Sequence, residues 1–573
     1  MTRIALPTDV SAPDVSASVA PPPNRSVLEA TRALDGILKF YRPLAGQIRS
    51  KAECLRLIDG RGPAGVLEAL AGLSPEWADH AIASVYAILM PHTRRKALGA
   101  YFTPPHLVDH LLWRMAELGV DIARHRIRDP AAGGAAFLVP LARRMVARWR
   151  AEGLTDRGIA SMLQRRLLGT EIDRGLADIA NALLRRMLVR EWGFRPSAVK
   201  DLEIVRTADA LSLRAFGDRA DHEVGNPPYR RLAADEHAAM RERFADIASG
   251  RLNLYAMFVR RAVAEMPAGG LVGHLVPASF LGGPEFSAFR RRMLERAELL
   301  VVDLVEKRTD VFVDAIQDAC FVVLRRRDRE TRGAAGWASS GVLRADGHFA
   351  ANGDMRLAAD GTPWHLPGLD AQFATTLTDW GYRASVGYLV PFRQAARMHD
   401  RPGEGRLPLI WAGAVGPDGT FDHARGASAK RLGWVSVPPD ARYVVREPCV
   451  VVQRTSSRNQ RRRVAAAAVP EAFMRRHGGL VGENHVLLLV RSHPDAPPPE
   501  VLAEALNNPS VSRAMNRVCG SASIPVGAIK RLRLPSPTAP GLGEAGWSSG
   551  STISSHHGQT TAVPNPTDGA TCG

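Results

Sequence analysis

Asn226, Pro227, Pro228 and Tyr229, following the apolar Val224-Gly225, are the residues of this chain whose types and spacing point most directly to chemistry. Two consecutive prolines fix φ and remove two backbone donors, so the carbonyls of this loop face outward instead of feeding a sheet ladder. One side-chain amide and one flat ring flank them. The set suits a planar amine: the Asn226 carboxamide and the Pro227 carbonyl can accept from an exocyclic NH2, while Tyr229 stacks on the ring that carries it. Taken alone, the same four residues also read as a proline-rich surface turn.

The elements that must position this loop come earlier in the chain. Residues 127–138, Ile-Arg-Asp-Pro-Ala-Ala-Gly-Gly-Ala-Ala-Phe-Leu, read as a strand end, a tight turn of small residues and a helix start. Small residues there let the backbone approach a ligand closely. After a helical stretch, Leu167-Leu168-Gly169-Thr170-Glu171-Ile172-Asp173 reads as a second strand ending in an acid, the position from which a doubly wound fold grips ribose hydroxyls. A third strand-like piece ends in Ala208-Asp209-Ala210, where an acid beside small residues suits an adenine amino group. The fourth delivers Asn226. Four successive strand ends therefore place Asp129, Glu171, Asp209 and Asn226 along one edge of a parallel sheet, where open α/β sheets bind ligands. Upstream, Thr103 followed by Pro104 looks like a helix N-cap region, with Leu107, Val108, Leu111 and Leu112 as the buried stripe. His106 and His110 are spaced i, i+4 but lack the adjacent Glu of a zinc-protease helix, so no metal site is expected.

This ordered series resembles the adenine-specific (N6) DNA methyltransferases of restriction-modification systems, in the gamma arrangement. Tyr101-Phe102-Thr103-Pro104 is similar to the family's motif X, and Asp129 through Leu138 to its glycine-rich turn, with departures at Ala132, Gly134 and Ala135. Glu171-Ile172-Asp173 resembles motif II, Ala208-Asp209-Ala210 motif III, and Asn226 to Tyr229 motif IV. The segments at 253–258 and 269–280 are also similar to the family, the latter as a strand with a following loop. The likeness covers about residues 96 to 535. It implies S-adenosyl-L-methionine as cofactor, held by Tyr101, Thr103, Asp129, Ala131, Gly133, Phe137, Glu171, Ile172, Asp209 and Ala210. It implies Asn226, Pro227, Pro228 and Tyr229 as catalytic residues, with Phe312 where the family's motif VIII lies; a core phenylalanine is the other reading of Phe312. Adenine N6 is a poor nucleophile because its lone pair is delocalised, and accepting both its hydrogens at Asn226 and Pro227 favours a tetrahedral, reactive nitrogen. A stacked duplex adenine is out of reach, so the base must flip out.

The expected fold is α/β: a doubly wound, mostly parallel sheet of the class I S-adenosylmethionine-dependent methyltransferase type, with an N-terminal helical segment and a C-terminal α+β target-recognition domain. The expected layout is a disordered lead at 1–25, a helical segment at 26–95, the catalytic domain at 96–330, a connector with room for hairpins at 331–385, the recognition domain at 386–540 and a disordered tail at 541–573. Within the recognition domain a buried strand joins a run dense in Arg, Asn, Gln and Ser. Gln453, Arg454, Ser456, Arg458, Asn459, Arg461 and Arg462 there, with Asn484 and His485 from a stretch that resembles family recognition domains, are the candidate DNA-binding residues; a solvated charged loop is the bland alternative.

Composition narrows the partners. The 573 residues carry a formal net charge of +17, almost all of it from arginine, which points to a polyanion or to a compositional bias. No stretch approaches 18 uninterrupted apolar residues and the N-terminus lacks a signal layout, so a cytoplasmic protein is expected, with double-stranded DNA as partner and no membrane. The five cysteines are scattered without a Cys-x-x-Cys pair, which speaks for free thiols. Three other readings stay open: a methyltransferase acting on RNA or a protein glutamine amide, a catalytically inert DNA-specificity subunit, and a nuclease fusion. None of the seven lysines follows an acid by two positions, so DNA cleavage would fall to a separate cognate endonuclease.

Overall fold

The computed structural model describes residues 47–537 apart from 92–93, 95–102, 213–219, 306–318, 345–346, 365, 368–372, 374, 428–430, 439, 456–461 and 519–522. Strands β1 (Ile127–Asp129), β2 (Leu167–Glu171), β3 (Val205–Thr207), β4 (His222–Gly225) and β5 (Leu271–Pro277) pair in parallel. Apart from β3 at the sheet edge, they are short and nearly continuous in buried residues, β5 at all seven positions, as expected of a sheet covered on both faces. Next come β6 (Ala297–Val305) and β7 (Ala319–Arg326), the latter antiparallel between β5 and β6. The order β3-β2-β1-β4-β5-β7-β6 reverses between β1 and β4. That reversal is a topological switch point, and the sheet is the doubly wound, mostly parallel one of class I methyltransferases.

Helix α1 (Lys51–Ile58), α2 (Ala64–Ala71) and α3 (Pro75–Leu89) form the N-terminal segment. Ser50 and Ser74 start α1 and α3 by accepting from the backbone N–H groups of Glu53 and Trp77, a cap worth about 1 kcal/mol each. These helices share one hydrophobic core with the sheet and with α4 (Pro105–Glu117), α5 (Leu138–Ala151) and α6 (Arg174–Arg190). On α6 the buried residues Leu176, Ile179, Ala180, Leu183, Leu184 and Met187 recur at helical spacing, and each large one contributes about 1.5–3 kcal/mol. Asp79 of α3 is buried between Arg143 and Arg186 at 2.7 and 2.5 Å. Burial pushes its carboxyl up to about 6, against the pull of the two guanidinium groups.

The stretch expected to be a connector is sheet over its first half. Strands β8 (Gly336–Leu343) and β9 (Phe349–Leu357) form a hairpin that extends the catalytic sheet beyond β6 to nine strands. Alternation there is blurred by Ser, Gly and Ala, so its period is faint in the sequence. Buried Arg290 then holds the following loop, donating to the Gly361 carbonyl at 3.0 and 2.7 Å.

The C-terminal part is α+β. One antiparallel sheet has the order β10 (Tyr382–Val386), β17 (Val486–Arg491), β14 (Cys449–Gln453), β15 (Ala466–Ala468). The other runs β11 (Met398–His399), β13 (Trp434–Ser436), β12 (Arg406–Ile410), β16 (Val481–Gly482). Thr375 pairs with Leu534, and the Trp380 indole donates to the Pro535 carbonyl at 3.0 Å, so the two ends of this unit close on each other. Among the described residues no helix is long and apolar enough to cross a membrane, and Cys54, Cys320 and Cys449 are buried.

Candidate active site

The turn after β1 is held by its own N–H groups, which donate to acceptors on β1 and β2. Ala131 N–H donates to the Asp129 carboxylate at 3.0 Å, Ala132 N–H to the Thr170 carbonyl at 2.9 Å, and Gly133 N–H to the Glu171 carboxylate at 2.9 Å. Glu171 also accepts from Asp173 N–H at 2.9 Å. The turn passes through the left-handed region at Gly133 (φ 52°) and at Ala135 (φ 62°). Ala135 stands where the resembled family carries glycine, and it is the single non-glycine residue with positive φ among those described; the turn accepts its Cβ at about 1 kcal/mol of strain. Phe137 is buried where α5 begins.

Burial dominates the electrostatics of this edge. The Asp129 carboxyl is held well above the ordinary range by burial, and Glu171 is raised for the same reason, partly offset by the N–H donors of Asp173 and Gly133. Beside them Ile172 is 56% exposed, unusual for an isoleucine at a strand end. Ala208 N–H donates to the Glu171 carbonyl at 2.9 Å, and Asp209 is exposed with its carboxylate accepting from Leu211 N–H at 2.9 Å, next to buried Ala210. Asp129, Ala131, Gly133, Glu171, Ile172, Asp209 and Ala210 thus line one continuous edge. The edge so formed holds three acids, Asp129, Glu171 and Asp209, a turn whose N–H groups are taken up by Asp129, Thr170 and Glu171, and the exposed side chain of Ile172.

Asn226 lies just past β4, across the switch point. Its carboxamide nitrogen donates to the Thr103 hydroxyl at 3.0 Å, and Thr103 is only 2% exposed. Thr103 is not the helix cap its sequence context implies. The N-cap of α4 is Pro104, with no side-chain capping bond, because two prolines remove donors that a threonine would otherwise satisfy. The hydroxyl is used to orient the amide instead. Gly225 permits the close approach of the two strand ends: a Cβ there would lie 3.0 Å from the Asp129 carboxylate and 3.4 Å from the Pro130 ring. Pro227 is buried, Pro228 and Tyr229 half-buried. The Tyr229 hydroxyl donates to the Leu275 carbonyl at 3.0 Å, and its ring meets Tyr255 edge-on at 6.4 Å. Burial raises that hydroxyl well above its usual range, so it stays a donor and fixes the ring.

Sequence reasoning missed the polar layer beneath this edge. Glu223 of β4 pairs with Arg128 of β1 at 2.5 Å and His274 of β5 at 2.9 Å, all almost fully buried, and Arg128 reaches Glu265 at 2.9 Å. Burial alone would raise the Glu223 carboxyl; Arg128 and His274 outweigh it and hold it below the ordinary value. Its signal was complementary charge inside three short, buried strands.

In the C-terminal unit, Gln453 is turned inward, its amide nitrogen donating to the carbonyls of Ala412 and Val415 at 3.0 and 2.9 Å. Arg454 donates to the Asn484 carbonyl at 2.9 Å and its N–H to the His485 carbonyl at 2.8 Å, which brings these three expected residues together. His485 is exposed and bonded to the buried Glu483 at 2.8 Å. Arg462 stands apart, on the rim of a cleft with Asp418, Glu500 and Glu504. Tyr101, Phe312, Ser456, Arg458, Asn459 and Arg461 lie outside the described residues, as do the 1–25 lead and the 541–573 tail.

With this geometry in view, the chain can be set beside known proteins. Residues 218–312, from just before β4 to just beyond β6, match the family described as Eco57I restriction-modification methylase. The Type II methyltransferase M.PaeR7I of Pseudomonas aeruginosa is 27% identical over 37% of this chain and 37% of its own length. M.BsuBI of Bacillus subtilis is 33% identical over 17% of this chain and 19% of its own. The chain thus spans well under half the length of these relatives. A DNA complex of the Type IIL restriction-modification enzyme MmeI superposes with a TM-score of 0.46 at 14% identity, covering 80% of this chain and 70% of that one. Over the strands that carry the Asn226 loop, the chain is similar to methyltransferases of restriction-modification systems.

Proposed function

We propose that the protein is a site-specific DNA methyltransferase that transfers a methyl group from S-adenosyl-L-methionine to N6 of a flipped-out adenine, as the modification enzyme of a restriction-modification system. The observation that carries this reading is Asn226, oriented by Thr103 at the end of β4 beside the Asp129 and Glu171 turn. Bound S-adenosylmethionine would supply an electrophilic methyl on sulfonium. Glu171 and Asp209 would hold the nucleoside end of the cofactor, Ile172 would cover its base, and the Asp129 to Gly133 turn with Thr103 would border its amino-acid end. The Asn226 carboxamide oxygen and the Pro227 carbonyl accept the two amino hydrogens of adenine and concentrate charge on N6. Tyr229 presents its ring to the flipped base.

The C-terminal unit supports a nucleic acid over a protein amide as target. Residues 386–540 hold 22 Lys and Arg against 11 Asp and Glu, a net +11 of the whole chain's +17. That concentration suits a phosphate backbone. In this reading residues 96–330 with the β8–β9 hairpin are the catalytic domain, 386–540 the recognition domain, the protein is cytoplasmic, and a separate endonuclease cleaves unmodified sites. The test is transfer of labelled methyl to unmethylated duplex DNA, to RNA and to bacterial protein extract, with Asn226→Ala in parallel. Label in duplex DNA only, absent in the variant, is the expected result. Label in RNA or protein only would overturn the DNA reading and keep the cofactor fold.

A further inference from the structure

Two of the large apolar side chains exposed among the described residues lie close together on one loop of the C-terminal unit: Tyr388 at 52% and Phe392 at 80%. The loop is anchored, since Gly387 N–H donates to Val486 at 2.9 Å, Leu389 N–H to Gly482 at 3.1 Å, and Asn484 N–H to Leu389 at 2.8 Å. Pro391 and the bonds Arg393 N–H to Val390 and Gln394 N–H to Pro391 then shape a short 3₁₀ turn that presents Phe392 outward. Tyr388 stacks on Tyr443 with centroids 4.0 Å apart and planes 6° from parallel, and Arg397 donates to the Tyr443 hydroxyl at 2.6 Å. The Arg393 guanidinium stands 5.5 Å from the Phe392 ring.

We propose that Phe392 is a stacking wedge that enters a base step of duplex DNA while Arg393 engages the adjoining phosphate. This rests on the DNA reading above and extends it to a residue outside the expected recognition set. A projecting, turn-fixed aromatic ring is the shape that partly unstacks a base step. The paired tyrosines beside it offer a second π face, and the unit's net charge of +11 matches a polyanion and opposes an apolar protein partner. The same loop contacts Asn484, so the wedge and the Arg454–Asn484–His485 cluster occupy neighbouring parts of one surface.

The test measures binding of the full chain to a labelled short duplex, and to the same duplex carrying one abasic site, for wild type, Phe392→Ala and Phe392→Trp, with methyl transfer to unmethylated plasmid DNA alongside. The wild type should prefer the abasic duplex, because an open step admits a ring without unstacking. Phe392→Ala should lose that preference and bind about tenfold or more weakly, with unchanged melting temperature and unchanged S-adenosylmethionine affinity, and Phe392→Trp should restore both duplex readouts. Equal DNA binding by Phe392→Ala and wild type would overturn the proposal and leave the patch to a protein partner. Phe392-dependent DNA binding without any methyl transfer would uphold the wedge while sinking the methylation reading.

Discussion

The strand-end cluster and the C-terminal surface are built on opposite plans. At the strand ends, function rests on backbone: a turn through two left-handed residues, acids clasping N–H groups and an amide held by one hydroxyl, all on a sheet whose core strands are buried. The C-terminal surface carries its candidate groups on loops, with an exposed Phe392, an exposed His485 and an inward Gln453. The first plan fixes geometry for a reaction that tolerates little displacement. The second places its candidate side chains on loops, where sequence and shape vary more readily than on a buried sheet.

If the strand ends depend on their buried support, the largest stability effect should come from beneath them. Arg128→Met leaves Glu223 buried with one cation fewer and should cost about 3–5 kcal/mol, read as a loss in denaturant midpoint; an unchanged midpoint would show that the polar layer is not what holds β1, β4 and β5 in register. The pH dependence follows from His222, whose Nδ1 accepts from Leu271 N–H at 3.0 Å and whose Nε2 faces His125 at 3.0 Å. Burial, then His125, pushes its imidazole down to about 4 from 6.5. A depressed folded-state pKa contributes stability that is present above pH 6.5 and lost as pH falls toward 4, on the order of 3 kcal/mol. Asp79, raised to about 6, runs the other way and recovers part of it between pH 6 and 4. His222→Asn, which can still accept from Leu271, should therefore flatten the acid limb of the melting profile.

Ala135→Val places a β-branched residue at φ 62° and should cost about 2–3 kcal/mol and weaken S-adenosylmethionine binding, measured by calorimetry. Cofactor affinity equal to wild type would disconnect the turn from the cofactor. Thr103→Val removes the acceptor of the Asn226 amide and should lower kcat about 10- to 100-fold with little change in cofactor affinity. Smallest of all, Gln453→Ala should leave DNA affinity nearly intact and lower stability by about 1–2 kcal/mol, while His485→Ala should do the reverse; a swap of those outcomes would erase the contrast drawn between inward and outward residues.

What could be read from sequence follows the same division. Asp129, Glu171, Asp209 and Asn226 were legible because close backbone approach demands small residues, prolines and acids at strand ends, in a fixed order along the chain. The turn's glycines and the Pro227-Pro228 pair declare their backbone by type. Thr103 was placed at the right helix but given the wrong bond, because its partner is 123 positions away and no local pattern records it. The docking of α1 to α3 into the catalytic core was illegible for the same reason, and the Arg128–Glu223–His274 layer showed only as charged residues inside short strands, with nothing local to say that they meet. In the C-terminal run, residue type suggested base reading for Gln453, and only its neighbours Ala412 and Val415 reveal a structural duty.

In the proposed reaction Asn226 presents adenine N6 to a methyl donor. Duplex DNA incubated with S-adenosylmethionine and the protein, digested to nucleosides and resolved by mass spectrometry, tests it most directly. N6-methyladenine as the product, with a loss of about 10³-fold or more in Asn226→Ala, is the result this account predicts. Methyl on another base, or an undiminished yield from the variant, would contradict it.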